Sequence, residues 1–150
     1  MKTLIICISA NHGNTEKIAK AMAGVFDAKV LKPQEVDVKS LSQYDLIGFG
    51  SGIFYFKHHR ALLELADKLP TIKKKAFIFS TGGSGYIEYH KALKDKILKK
   101  GFSIVGEFVC KGFDTWGPYK LIGGRNKGRQ NKKDLEDARN FAKGLMKVKL

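Results

Sequence analysis

Seven consecutive residues, Ser9-Ala10-Asn11-His12-Gly13-Asn14-Thr15, carry the densest chemistry in the chain. They follow a short apolar run, Thr3 to Ile8, and precede a pattern in which Ile18, Met22 and Phe26 recur every four residues, as on one face of a helix. A strand, a polar turn with a glycine and then a helix present unclaimed backbone N–H groups to an anion. Asn14 or Thr15 can cap that helix, and Ser9, Asn11 and Thr15 offer side-chain hydrogen bonds. His12 reads either as a phosphate ligand, charged or neutral, or as a loop histidine bonded locally. With no lysine in the loop, a bound phosphate would rest mainly on N–H groups and hydroxyls.

Two rival phosphate signatures fail. The Gly-x-x-x-x-Gly-Lys-Ser/Thr loop is absent, which removes support for nucleoside triphosphate hydrolysis of that kind. Gly-x-Gly-x-x-Gly counted from Gly48 puts Ile53 at the third glycine, and counted from Gly50 puts Tyr55 there. Other reactive groups are isolated. His58-His59 is expected to be the solvated start of a helix rather than a metal site, and His90 reads the same way. No serine sits in a nucleophile elbow and no carboxylate pair is suggested by spacing, so no side chain is assigned acid–base catalysis. Cys7 and Cys110 share no Cys-x-x-Cys spacing and read as buried thiols in a reducing compartment.

The elements that must position the loop alternate. Lys29-Val30-Leu31 is a brief strand ended by Pro33, and Leu41 marks a small packed turn. Asp45 to Ser51 is apolar without alternation, which suits a strand buried on both faces, and opens into Gly52-Ile53-Phe54-Tyr55-Phe56. A helix is predicted from about His58 to Leu69, a strand over Ala76 to Ser80, and a loop from Thr81 to Tyr86. A helix from about Glu88 to Lys100 then stops at Gly101, and Phe102 to Cys110 forms the last strand. Gly112 to Gln130 is a long irregular connection, and a helix from about Lys132 to Met146 buries Leu135, Ala138, Phe141, Ala142 and Leu145. Strands alternating with helices imply an α/β fold, a mostly parallel sheet covered on both faces. Any helix between the second and third strands must be very short.

The 150 residues are expected to form one domain, 1–150, large enough for a core without metal or disulfide staples. The first apolar run is too short for a signal segment, and no run approaches the roughly 18 residues that cross a bilayer, so a cytoplasmic location is expected. A formal net charge of +14 favours anionic partners. From Lys120 onward ten basic residues stand against three acidic ones, a surplus of seven.

Ser9 to Thr15 followed by Glu16-Lys17-Ile18-Ala19 resembles the FMN phosphate loop of the flavodoxins, Thr/Ser-x-Thr-Gly-x-Thr, with Gly13-Asn14-Thr15 matching in place. Aligned on Gly13, the two upstream hydroxyl positions fall on Ala10 and His12, and Ser9 and Asn11 supply those bonds if the loop path differs by about a residue. The resemblance extends along nearly the whole chain. It implies a doubly wound parallel sheet of five strands in order 2-1-3-4-5 with helices on both faces, and FMN in the crevice beside the first and third strands. By the same resemblance Gly52-Ile53-Phe54-Tyr55 approaches one side of the flavin ring, with Phe54 or Tyr55 as its wall. Thr81-Gly82-Gly83-Ser84-Gly85-Tyr86 forms the other side, with Tyr86 stacking. Phe54 and Phe56 read alternatively as core. Asp114, Thr115 and Trp116 would overhang the cofactor or anchor the long connection.

The role implied is an FMN-binding electron carrier working between redox partners. The alternative is an FMN-dependent oxidoreductase for a quinone-like or porphyrinogen substrate, since Gly50 to Tyr55 and the long basic insertion loosely resemble the flavodoxin-type protoporphyrinogen oxidases. Familiar electron-transfer flavodoxins are acidic, whereas this basic surface would face a redox protein with an acidic surface, the partner expected here, or else a carboxylated substrate or a membrane. Nucleic-acid binding through Gly123 to Arg129 rests on charge alone and is not expected.

Overall fold

The structure, a computed structural model, describes residues 1–9, 13–82, 85–110 and 127–147, with side chains in the last segment described from residue 132 onward. Five parallel strands form the sheet: β1 (Thr3–Ile8), β2 (Lys29–Leu31), β3 (Leu46–Phe54), β5 (Lys75–Thr81) and β6 (Ser103–Cys110). Their order is β2-β1-β3-β5-β6. A two-residue strand, β4 (Lys57–His58), folds back antiparallel on the end of β3 and lies off that path. With β4 set aside, this is the predicted order 2-1-3-4-5.

Successive side chains of a strand point to opposite faces, and here both faces are covered. Leu4 and Ile6 of β1, with Ile47 and Phe49 of β3, pack beneath α2 (Arg60–Lys68) and α3 (Lys91–Lys99). Ile5 and Cys7 pack on the other face with α1 (Asn14–Phe26) and α4 (Lys127–Met146). Burial on both sides is the reason these strands read as unbroken apolar runs. Gly48 and Gly50 belong to this packing. A Cβ on either would lie 2.2 Å from the ring of Phe77 or Phe79, so the Gly-x-Gly pair makes room for two core phenylalanines.

Several boundaries differ from expectation. Between β2 and β3 the chain uses two 3-10 turns, Pro33–Glu35 and Val38–Gln43, and Leu41 of the second is fully buried. Gly52, Ile53 and Phe54 belong to β3 rather than to a loop, because Ile53 and Phe54 pair with His58 and Lys57. The second helix therefore starts at Arg60, and His59 caps it by accepting from the Ala61 N–H at 3.0 Å. A 3-10 turn, Ile87–His90, precedes α3. Helix α4 begins at Lys127, inside the stretch expected to be irregular; the rest of that connection, with Asp114, Thr115 and Trp116, lies outside the described residues. No described helix is long and apolar enough to cross a membrane.

Candidate functional site

Because β1, β3 and β5 run parallel, their carboxyl ends deliver three chain segments to one edge of the sheet. The first leaves β1 through Ser9, whose hydroxyl is buried with no hydrogen-bond partner among the described residues. A cavity of about 330 Å³ opens beside it, lined by Cys7, Ile8, Ser9, Glu16 and residues at the end of β2. Gly13 then sits at φ 68°, ψ 24° as the residue before α1, and accepts the Lys17 N–H at 3.1 Å. That left-handed conformation suits glycine, which has no Cβ to clash with the carbonyl. Among the described residues no side chain caps this helix. Asn14 and Thr15, expected as caps, are instead its first two residues. Thr15 turns inward, its buried hydroxyl 2.7 Å from that of Thr81 at the end of β5.

The second segment is the end of β3. Phe54 and Lys57 pair across a two-residue hairpin whose tip, Tyr55 and Phe56, has φ of 52° and 68°. Two consecutive positive φ values are the type I′ pattern, which ordinarily selects Asn-Gly rather than two aromatics. Tyr55 is 93% exposed and Phe56 74%, so Phe56 is no core residue. Phe54 is half-buried, its ring edge-on to His59 at 5.2 Å. Ser51 braces the strand end: its hydroxyl donates to the Gly52 carbonyl at 2.7 Å and accepts the His59 N–H at 2.9 Å.

The third segment follows β5. Gly52 pairs in register with Thr81, and the Gly82 N–H donates to the Cys110 carbonyl at 2.9 Å. Tyr86 is 56% exposed, with Tyr89 at 5.6 Å, and Tyr89 in turn lies 5.6 Å from Phe56. An aromatic row, Phe56-Tyr89-Tyr86, thus links the hairpin to the loop after β5. Among the expected site residues, Ser9, Gly13, Asn14, Thr15, Gly52, Ile53, Phe54, Tyr55, Thr81, Gly82 and Tyr86 fall on this one edge. Asn11, His12, Gly83 and Ser84 lie outside the described residues.

Behind the aromatic row lies a cluster that sequence reasoning misread. His58 and His90 are buried, not solvated, with ring centroids 4.9 Å apart. The His58 Nε2–H donates to the Phe79 carbonyl at 2.9 Å, and His90 Nε2 shares a 2.7 Å hydrogen bond with the Ser80 hydroxyl. Burial lowers the pKa of both imidazoles to about 4; the His58 hydrogen bond works against this, and Lys94 adds to it for His90. The sole hint in the sequence was that His58 lies two residues past an aromatic run, Phe54 to Phe56. Cys7 is also buried, which raises its thiol pKa to about 12 and leaves it unreactive. Among the described residues no cluster of His, Cys, Asp and Glu is arranged to hold a metal ion. A larger cavity, about 690 Å³, lies at the opposite edge beside Asp45 and Lys73 to Lys75. Two of its polar groups are engaged elsewhere, Asp45 by the Lys2 N–H at 2.7 Å and Lys74 by donation to the Ser42 carbonyl at 2.7 Å.

A parallel sheet in this order, with a phosphate-type turn after β1 and aromatic loops after the third and fourth parallel strands, can be compared with known proteins. The flavodoxin domain family matches residues 5–104. The chain belongs to the flavodoxin family. Membership implies FMN as the cofactor. An uncharacterized protein of Methanocaldococcus jannaschii is 47% identical over 149 residues, covering 98% of this chain and 99% of that protein. Among solved structures, oxidised flavodoxin 1 from Bacillus cereus superposes with a TM-score of 0.70 at 21% identity, covering 99% of this chain and all of the other. A flavodoxin from the domain Archaea gives 0.62 at 19% identity, covering 95% of this chain and 94% of the other. These two likenesses are of fold. The flavodoxin order places the crevice between β1 and β3, where the chain leaves the sheet toward opposite faces.

Proposed function

We propose that this flavodoxin-family protein binds FMN at the carboxyl edge of its sheet and carries electrons between redox proteins. The observation that carries the reading is the turn after β1. There, among the described residues, the buried Ser9 hydroxyl has no partner, Gly13 holds a left-handed turn, and the helix behind it has no side-chain cap. Unclaimed donors at a helix start fit a phosphate. Ser9, Asn11, His12, Gly13, Asn14 and Thr15 would hold that phosphate. Gly52, Ile53, Phe54 and Tyr55 on one side, and Thr81, Gly82, Gly83, Ser84 and Tyr86 on the other, would border the ring. FMN supplies the redox chemistry when bound. The chain's part is to bury the ring between aromatics, orient it and set the polarity around it. The excess of 28 Lys and Arg over 14 Asp and Glu supports a partner with an acidic surface.

Titrating the purified protein with FMN, followed by flavin fluorescence, tests the reading. Saturable binding at or below micromolar FMN is the expected result, and no binding there overturns it. Turnover with a quinone or protoporphyrinogen, set beside reduction by a reductase protein, separates carrier from enzyme. The carrier reading expects fast reduction by the reductase and no substrate turnover.

A further inference from the structure

We propose that His58 and His90, backed by Glu107 and Lys94, are positioning residues for the flavin ring: a neutral imidazole pair that clamps the strained Tyr55–Phe56 tip to the loop ending at Tyr86. The assignment rests on the flavin reading above. Each imidazole belongs to one of the two ring segments. His58 is the second residue of β4, the return limb of the hairpin, two residues past its tip. His90 closes the 3-10 turn that starts immediately after Tyr86. Their contact joins two loops that the sheet alone does not connect. A tip with two non-glycine residues at positive φ persists only where its surroundings over-determine it. The imidazole contact, together with the Phe56–Tyr89 packing, provides that constraint.

Hydrogen-bond accounting fixes the proton positions. A carbonyl only accepts, so His58 carries its proton on Nε2 and leaves Nδ1 as an acceptor, buried and without a partner among the described residues. His90 Nδ1 lies 3.8 Å from Glu107 Oε2, too far for a hydrogen bond and near enough for attraction. Glu107 Oε1 lies 2.9 Å from Lys94 Nζ, an ion-pair contact without hydrogen-bond alignment. The groups facing the pair are therefore the Phe79 carbonyl and Ser80 of β5, Glu107 of β6 and Lys94 of α3. A proton added at His58 Nδ1 would place a cation against the ring of His90, in a site whose one carboxylate among the described residues, Glu107, already faces Lys94. Desolvation of one such cation, or repulsion between two, would part the two loops, and reciprocally a ring held between them would keep both imidazoles neutral.

The experiment compares wild type, His58→Gln, His90→Gln, the double variant and Lys94→Met. It reads the FMN dissociation constant between pH 4 and 7.5, the flavin midpoint potential at pH 7, and the melting temperature of the FMN-free protein. The flavin phosphate titrates equally in every sample, so differences between proteins report the imidazoles. Expected is a roughly tenfold weakening of FMN with a shifted potential in either single variant, and a double variant little worse than the singles. Wild type should lose affinity as pH falls from about 6 toward 4, with a smaller loss in the His variants. Lys94→Met leaves both imidazoles in place and removes the cation that opposes His90 protonation, so its affinity loss should begin at higher pH. Lower melting temperatures with unchanged affinity and potential would make the pair ordinary core and overturn the assignment. If the His variants fail to fold, an unmoved pH profile in Lys94→Met overturns it equally. Wild type that binds no FMN at pH 7 overturns the flavin reading, and the clamp with it.

Discussion

Gly13 and Thr15 stand two positions apart and act through different physics. Among the described residues a Cβ on Gly13 would meet nothing within 4 Å; the difficulty of substitution there is its φ of +68°. A β-branched residue held in that region loses about 1–2 kcal/mol, and relaxing to negative φ would re-aim the N–H groups of the turn. Gly13→Val is therefore expected to weaken FMN roughly tenfold or more while destabilising the FMN-free protein by no more than about 1–2 kcal/mol. Equal FMN affinity in a fluorescence titration would show that the phosphate binds elsewhere. For Thr15→Val, loss of the 2.7 Å bond leaves the Thr81 hydroxyl buried without its partner. Such an orphan costs about 1–3 kcal/mol. Pairing it with Thr81→Val should recover part of the loss, and a double-mutant cycle in denaturant measures the recovery. At this scale the sequence was most informative where chemistry is local. A glycine turn between β1 and α1 was legible from residue types and order, but the Thr15 hydroxyl's bond to Thr81 was not. His58 and His90 were not, since a histidine's burial depends on partners from distant strands, here Phe79 and Ser80 of β5 and Glu107 of β6.

Among the elements, the β3–β4 hairpin departs furthest from local preference. Replacing its tip with the favoured pair, Tyr55→Asn with Phe56→Gly, is expected to stabilise the FMN-free protein by about 1 kcal/mol. The same change should weaken FMN by removing the exposed aromatic and its contact with Tyr89. Thermal melting and FMN titration of that double variant read both effects; a gain in stability with no loss of affinity would mean that the tip does not touch the ring. The strand end was misjudged for a related reason. Ile53 and Phe54 look like loop residues after Gly52, and become strand only because Lys57 and His58 turn back to pair with them. The long strands were legible because burial on both faces leaves apolar runs, and α1 because Ile18, Met22 and Phe26 share one buried face. Any helix between β2 and β3 was rightly expected to be very short, and Leu41 to mark a small packed turn there.

For the whole molecule, acid is the informative stress. Both buried histidines have a folded pKa of about 4 against an ordinary 6.5, so between those values the unfolded chain binds protons first. Stability from this source is intact above pH 6.5, falls as pH drops through the window, and levels off below about 4. The upper bound is about 3 kcal/mol for each imidazole. Urea midpoints of the FMN-free protein from pH 7 to 4 check this, and His90→Gln should flatten the decline. The sheet order was legible through the resemblance to the flavodoxins, whereas the alternation of strands and helices by itself implied only a mostly parallel sheet covered on both faces. The basic balance was equally plain in the composition, although it does not locate the face a partner meets.

The Thr15–Thr81 bond also bears on the order of assembly. It joins groups 66 residues apart, across a sheet whose central strand must already be in place. Long-range closures of this kind come late, because the chain entropy of the intervening loop must be overcome before the contact gives anything back. The turn after β1 would thus take its final form only once β5 has docked beside β3. A cofactor that needs this turn would enter a nearly finished protein, stabilising it by slowing its unfolding while leaving its folding rate almost untouched.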